Sequence, residues 1–221
     1  MMSSRTKLAI VMTLTVGRFP LVLLFFTAAV VYSVLPEARR PDWLFAAGFT
    51  ALIGSAVTDL LDGLFARRFG VETHLGAHAD PLMDKFFYLA TLPLLVFVAS
   101  QNGHVRHAVF LLVLALLFLI RDQWVTFLRS IGSLYNVPGG ANWSGKMRTA
   151  VNFPLICCIY HFEAAPRQLL HPWFLHSFEV VGLAINVLSV VVYTRHYWPS
   201  LRRSASLQKP PADADSFPSD A

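Results

Sequence analysis

The stretch Asp59-Leu60-Leu61-Asp62-Gly63-Leu64-Phe65-Ala66-Arg67, followed by Gly76-Ala77-His78-Ala79-Asp80-Pro81-Leu82-Met83-Asp84-Lys85, decides how this chain is read. Its four aspartates lie inside, or at the mouths of, long apolar runs. A carboxylate at membrane depth costs several kcal/mol unless it is paired, hydrated or bound to a metal, so a cluster of them marks a functional site. Asp59 and Asp62 are three residues apart, and Asp80 and Asp84 four. On a helix, either spacing puts both side chains on one face. Two such helices facing each other form a carboxylate cage.

Outside this stretch the composition points the same way. Of 221 residues, 55% are hydrophobic and 14% charged, with a mean hydropathy of +0.54, which excludes a soluble domain of ordinary composition. About 20 apolar residues span a bilayer core, and segments of that kind occur at 8–35, 43–65, 81–100, 105–128, 149–162 and 174–197, the fifth being the shortest. The expected fold is an all-α integral membrane protein of six transmembrane helices, with a metal site across helices 2 and 3. Residues 1–199 read as one domain. The tail 200–221 mixes Ser, Pro, Ala, Lys and Asp without apolar periodicity and reads as disordered.

Cations on successive loops set the orientation. One side receives Arg5 and Lys7, Arg67 and Arg68, then Arg129, Lys146 and Arg148, then Arg195, Arg202, Arg203 and Lys209; the other receives Arg39, Arg40, Arg106 and Arg167. The positive-inside rule therefore predicts both termini and the aspartate cage on the cytoplasmic side. Arg18 interrupts the first apolar run, which favours a retained helix over a signal peptide. A formal charge of +5 suits a surface facing anionic lipid. No basic run is interleaved with aromatics, so nucleic acid is not an expected partner. The adjacent Cys157 and Cys158 read as structural thiols, not as a disulfide or a metal site.

Hard divalent cations such as Mg²⁺ and Mn²⁺ take oxygen ligands, usually carboxylates together with substrate phosphate. Asp59, Asp62, Asp80 and Asp84 supply carboxylates, and two ions held there would bridge a diphosphate. Gly63, Ala66 and Gly76 remove bulk where a nucleotide must approach the backbone. The bland alternative is helix capping, to which Asp80 before Pro81 conforms, but capping does not account for all four residues.

The whole stretch fits Asp-x2-Asp-Gly-x2-Ala-Arg-x8-Gly-x3-Asp-x3-Asp and resembles the motif of the CDP-alcohol phosphatidyltransferase family. That resemblance implies a six-helix membrane enzyme in which Asp59, Asp62 and Asp80 are metal ligands. It implies that Asp84, beside the metals, is also the general base on the acceptor hydroxyl. By the same resemblance Gly63, Ala66, Arg67 and Gly76 line the pocket for the CDP moiety of CDP-diacylglycerol.

A second constellation bears on the acceptor. Arg121 and Arg129 bracket the end of the fourth segment, and Ser144-Gly145-Lys146-Met147-Arg148-Thr149 opens the fifth. Single cations at membrane helix ends are commonly snorkelling anchors. Together, Arg121, Arg129 and Lys146 outline a basic pocket for a phosphate that the metals do not hold, and Arg18 is expected to face the same cavity. The runs Asp80-Pro81-Leu82-Met83-Asp84-Lys85, Arg121-Asp122 with Arg129, and Gly145-Lys146-Met147-Arg148-Thr149 are similar to those of bacterial phosphatidylglycerophosphate synthases within the family. The chain departs from them in keeping only Thr15-Val16-Gly17-Arg18 of their Asn-rich lead, and in carrying His74 and His78.

The resemblance implies a phosphorylated polyol acceptor, sn-glycerol 3-phosphate, with phosphatidylglycerol phosphate and CMP as products, in a bacterial inner membrane. Inositol phosphate, phosphatidylglycerol and serine are rival acceptors, and a homodimer is left open. A small divalent-cation transporter is the rival of another class. It predicts carboxylates spread along a path and an inverted repeat, neither of which the sequence displays.

Overall fold

The computed structural model describes the backbone of residues 4–69, 74–137 and 143–206; within these ranges side chains are described except at 4–12, 15, 60, 62–64, 66, 67, 74–81 and 143–146. The described residues form six long helices and no strand: α1 (Ser4–Val34), α2 (Asp42–Phe69), α3 (His74–Gln101), α4 (Val105–Ser133), α5 (Trp143–Ala164) and α6 (Pro172–Ala205). Four of them carry stretches long and apolar enough to cross a membrane, at Val16–Val34, Leu82–Gln101, Val105–Ser133 and Pro172–Ala205. Large apolar side chains on these helices stay exposed, among them Leu112, Val113, Leu116 and Ile120 of α4 and Val180, Val187 and Leu188 of α6. Helices apolar on their outer faces as well as their inner ones are solvated by lipid, so the chain is an integral membrane protein.

Three boundaries differ from the sequence reading. α3 begins at His74, so Asp80 and Pro81 lie within the helix and Asp80 is not its cap. α5 starts well before residue 149 because its polar first turns escape a hydropathy count and are nevertheless helical. α6 runs on through Pro199 to Ala205, so 200–205 are helix and not tail. The remainder of the expected tail, 207–221, lies outside the described residues.

Helix ends follow local chemistry. α3 closes on Gly103, whose φ of 80° accompanies bonds from the His104 amide to Ala99 O and from the Gly103 amide to Ser100 O. This is the left-handed glycine stop that satisfies orphan carbonyls. Asn136, with φ 55°, ends α4 in the same way, through bonds from Val137 to Gly132 and from Asn136 to Ser133. The Arg40 guanidinium donates to the carbonyls of Leu35 and Ser33 at the end of α1, and to Asn102 Oδ1 just after α3. α6 opens on Pro172, preceded by His171, whose Nδ1 accepts from the Trp173 amide.

The chain divides into two compact units, Met1–Ala115 with Phe153–Glu179, and Leu116–Asn152 with Val180–Ala221. In the larger, α1 packs against α2 and α3. Gly48 lets α2 approach closely there, since a Cβ would meet Tyr160 Oη at 3.1 Å and Ala28 Cβ at 3.4 Å. Small residues at such contacts drive helix association where lipid supplies no hydrophobic difference. Around them Tyr160 stacks on Phe45 at 5.5 Å and meets Phe25 edge-on at 4.9 Å. In the smaller unit, Val125, Leu128, Tyr193 and Tyr197 form the buried core. Gly132 there leaves the space that the Tyr197 ring fills.

Candidate active site

Asp59 lies near the end of α2 and Asp84 near the beginning of α3, and one cation joins them. The guanidinium of Arg18, on α1 and only 3% exposed, forms an ion pair with Asp59. Its Nη1 donates to Asp84 Oδ1 at 3.2 Å. Phe19 stacks on Phe86 at 4.6 Å, fixing α1 against α3 beside this contact. The carboxylates remain open on one side, with Asp59 37% and Asp84 50% exposed.

Helical backbone at 62 and 80 keeps each within about one turn of its partner aspartate. The side chains of Asp62, Ala66, Arg67, Asp80 and Lys146, with Gly63 and Gly76, lie outside the described residues. Two carboxylates from different helices, converging on one cation and offering only oxygen donors, fit a hard divalent metal ion.

Arg18, expected to face the cavity of the basic residues, has its guanidinium paired with Asp59 and Asp84. The interruption of an apolar run signalled a buried cation and not its partner. Replacing Arg18 with Gln should lower the stability of the metal-free protein by about 1.5–3 kcal/mol, the usual contribution of hydrogen bonds to charged groups. Added Mn²⁺ should then restore the unfolding temperature by more in the variant than in the wild type. Equal shifts in thermal unfolding would show that Arg18 is not the countercharge of these carboxylates.

The smaller unit carries a second polar cluster. Asp122 Oδ1 pairs with Arg121 at 3.0 Å and with Arg148 at 2.8 Å. Arg121 also donates to Ser189 through Nε at 3.1 Å and through Nη2. Tyr193, fully buried, has the Arg121 guanidinium over its ring at 5.2 Å and that of Arg129 at 5.4 Å. Arg129 Nη2 donates to the Tyr193 hydroxyl at 3.0 Å. Arg148 Nε donates to Asn186 Oδ1 at 3.2 Å, and Asn186 Nδ2 in turn donates to Asn152 Oδ1 at 3.1 Å.

Arg121 and Arg129, picked out from sequence, thus converge on one tyrosine. Arg148, Tyr193, Asn152, Asn186 and Ser189 join them. Arg148 stood in the Gly-Lys-x-x-Thr run and could have been found there; the α6 residues carried no signal in an apolar segment. Among the described residues this cluster gathers three guanidiniums with the Asp122 carboxylate, and guanidiniums are suited to oxyanion ligands.

The family model for CDP-alcohol phosphatidyltransferases matches residues 8–194. The chain is also 28% identical to a CDP-diacylglycerol–glycerol-3-phosphate 3-phosphatidyltransferase of Pseudomonas fluorescens, over 73% of this chain and 80% of that protein. It is 29% identical to a protein of the same name from Treponema pallidum, over 82% and 80%. A CMP-forming cardiolipin synthase of Oryza sativa is 28% identical over 84% of this chain, but the match spans only 56% of that protein. The chain belongs to the CDP-alcohol phosphatidyltransferase family and is a transferase of substituted phosphate groups.

Proposed function

We propose that this CDP-alcohol phosphatidyltransferase moves the phosphatidyl group of CDP-diacylglycerol to the free hydroxyl of sn-glycerol 3-phosphate, giving phosphatidylglycerol phosphate and CMP. Asp59, Asp62, Asp80 and Asp84 hold two Mg²⁺ or Mn²⁺ ions, which when bound neutralise the diphosphate and the departing CMP. Gly63, Ala66, Arg67 and Gly76 receive the CDP moiety. Asp84 accepts the proton of the acceptor hydroxyl as its oxygen bonds to the phosphatidyl phosphorus and the bond to CMP breaks. Arg18 orients Asp59 and Asp84.

The observation that supports the choice of acceptor is the gathering of three guanidiniums, Arg121 and Arg148 on Asp122 and Arg129 beside Arg121 on Tyr193. A phosphomonoester dianion is the ligand such a group of cations suits. Lys146, on the same helix as Arg148, adds a fourth cation to this reading. Serine carries no phosphate at all, and phosphatidylglycerol carries only a singly charged diester. The similarity to the Pseudomonas and Treponema proteins supports the same acceptor. All six helices lie in the bacterial inner membrane. The termini and the aspartates face the cytoplasm, where the water-soluble sn-glycerol 3-phosphate is found.

The test is kinetic. Arg129→Met removes a charge-assisted contact of about 1.5–3 kcal/mol, which should raise the KM for glycerol 3-phosphate by roughly one to two orders of magnitude. The KM for CDP-diacylglycerol should hardly change. Parallel increases in both constants would instead indicate a general loss of structure.

A further inference from the structure

At the end of the larger unit away from the aspartates, an alternating chain of imidazoles and carboxylates joins α4, α5 and α6. His104 Nδ1 lies 2.8 Å from Glu163 Oε2, and Glu163 Oε1 lies 2.5 Å from His107 Nδ1. His107 Nε2 is 2.7 Å from Glu179 Oε1, and Glu179 Oε2 is 2.9 Å from His176 Nδ1. Both carboxylates are inside the protein, with Glu163 0% and Glu179 1% exposed. Their ion-pair partners among the described residues are histidines only. From Asp84 to the end of α3, beside His104, is 17 residues, about 26 Å of helix. The proposed transfer uses none of these groups.

We propose that His107, His176 and Glu179 form a binding site for a divalent transition-metal ion of the Zn²⁺ class, with Glu163 as the positioning residue that orients His107. The donor atoms of the three residues lie within 4.8 Å of one another. Tetrahedral zinc, with bonds of about 2.0–2.1 Å, needs donors roughly 3.3 Å apart, so small side-chain adjustments admit the ion. Two imidazoles and one carboxylate select zinc-like ions, whereas Mg²⁺ prefers oxygen alone.

Two further features point to a metal instead of a plain histidine–glutamate network. Glu163 accepts from the ring nitrogen of His107 that faces away from Glu179, the carboxylate–histidine–metal arrangement that fixes tautomer and ring direction. Two buried carboxylates also carry the charge that one dication neutralises. His176, 54% exposed, leaves one side of the site open for a water or an outside ligand, as three-ligand zinc sites require. Asn102, donating to the Glu163 carbonyl, ties the orienting residue to the turn after α3. The ion would clamp the beginnings of α4 and α6 together and, through Glu163, the end of α5.

The test uses the full-length protein in detergent, with any affinity tag removed and Mg²⁺ in excess to occupy the aspartates. Titration with Zn²⁺ should then register one tight equivalent and raise the unfolding temperature. His176 is half-exposed, so His176→Ala should fold and should lose Zn²⁺ affinity by more than the 10–100-fold typical of an outer-shell partner. Glu163→Gln should fall within that 10–100-fold range. Wild-type protein that takes up no Zn²⁺ under these conditions would overturn the assignment. So would His176→Ala protein that binds Zn²⁺ and is stabilised by it as the wild type is.

Discussion

Removing divalent cations with EDTA, or replacing Asp62 with Asn, is expected to reduce CMP release from CDP-diacylglycerol to background. The magnitude follows from charge. A metal-bound diphosphate gains several kcal/mol of transition-state stabilisation, which corresponds to about three orders of magnitude in rate or more. Arg18 pairs with Asp59 and Asp84, and a guanidinium held by two carboxylates cannot also neutralise a diphosphate and a departing nucleotide. Asp62→Asn leaves the charges of Arg18, Asp59 and Asp84 unaltered, so the variant should keep its helical content by circular dichroism while turnover disappears. Full activity in excess EDTA would contradict the metal assignment.

Asp84→Asn should lower turnover by about 10²–10⁴-fold, the range for losing a positioned general base. The amide oxygen still accepts from Arg18 Nη1, so the contact between α1 and α3 survives the change. Binding of CDP-diacylglycerol should therefore persist, and the loss should appear in kcat and kcat/KM alike, as for an interaction made only in the transition state. A fall in CDP-diacylglycerol binding that parallels the loss of rate would make Asp84 chiefly a metal ligand.

Much of this was legible in the sequence because its signals are local. Six apolar segments became six helices, and the breaks at Gly103 and Asn136 became left-handed helix stops. Asp59 and Asp84 were marked by their cost at membrane depth. Four features were hidden, each for a physical reason. The pairing of Arg18 with Asp84 joins residues 66 positions apart, and no local pattern encodes such a contact.

The start of α5, before residue 149, was hidden because residues such as Arg148 depress the hydropathy of its first turns, although the Arg148 side chain is buried inside the protein at 7% exposure. Hydropathy counts composition and not which face a side chain occupies. The His107–Glu163–Glu179 chain is assembled from three helices, and each member alone looks like a residue at a helix end. Tyr193, on which Arg121 and Arg129 converge, likewise sits in an apolar run that carries no mark of function.

The acceptor is decided most directly by CMP release. Purified protein in detergent, supplied with CDP-diacylglycerol and Mn²⁺, should be offered sn-glycerol 3-phosphate, inositol phosphate, serine and phosphatidylglycerol in separate reactions, with CMP release followed in each. CMP should be released with sn-glycerol 3-phosphate, and phosphatidylglycerol phosphate should form. Release with any of the other three acceptors, and none with sn-glycerol 3-phosphate, would contradict the proposed acceptor.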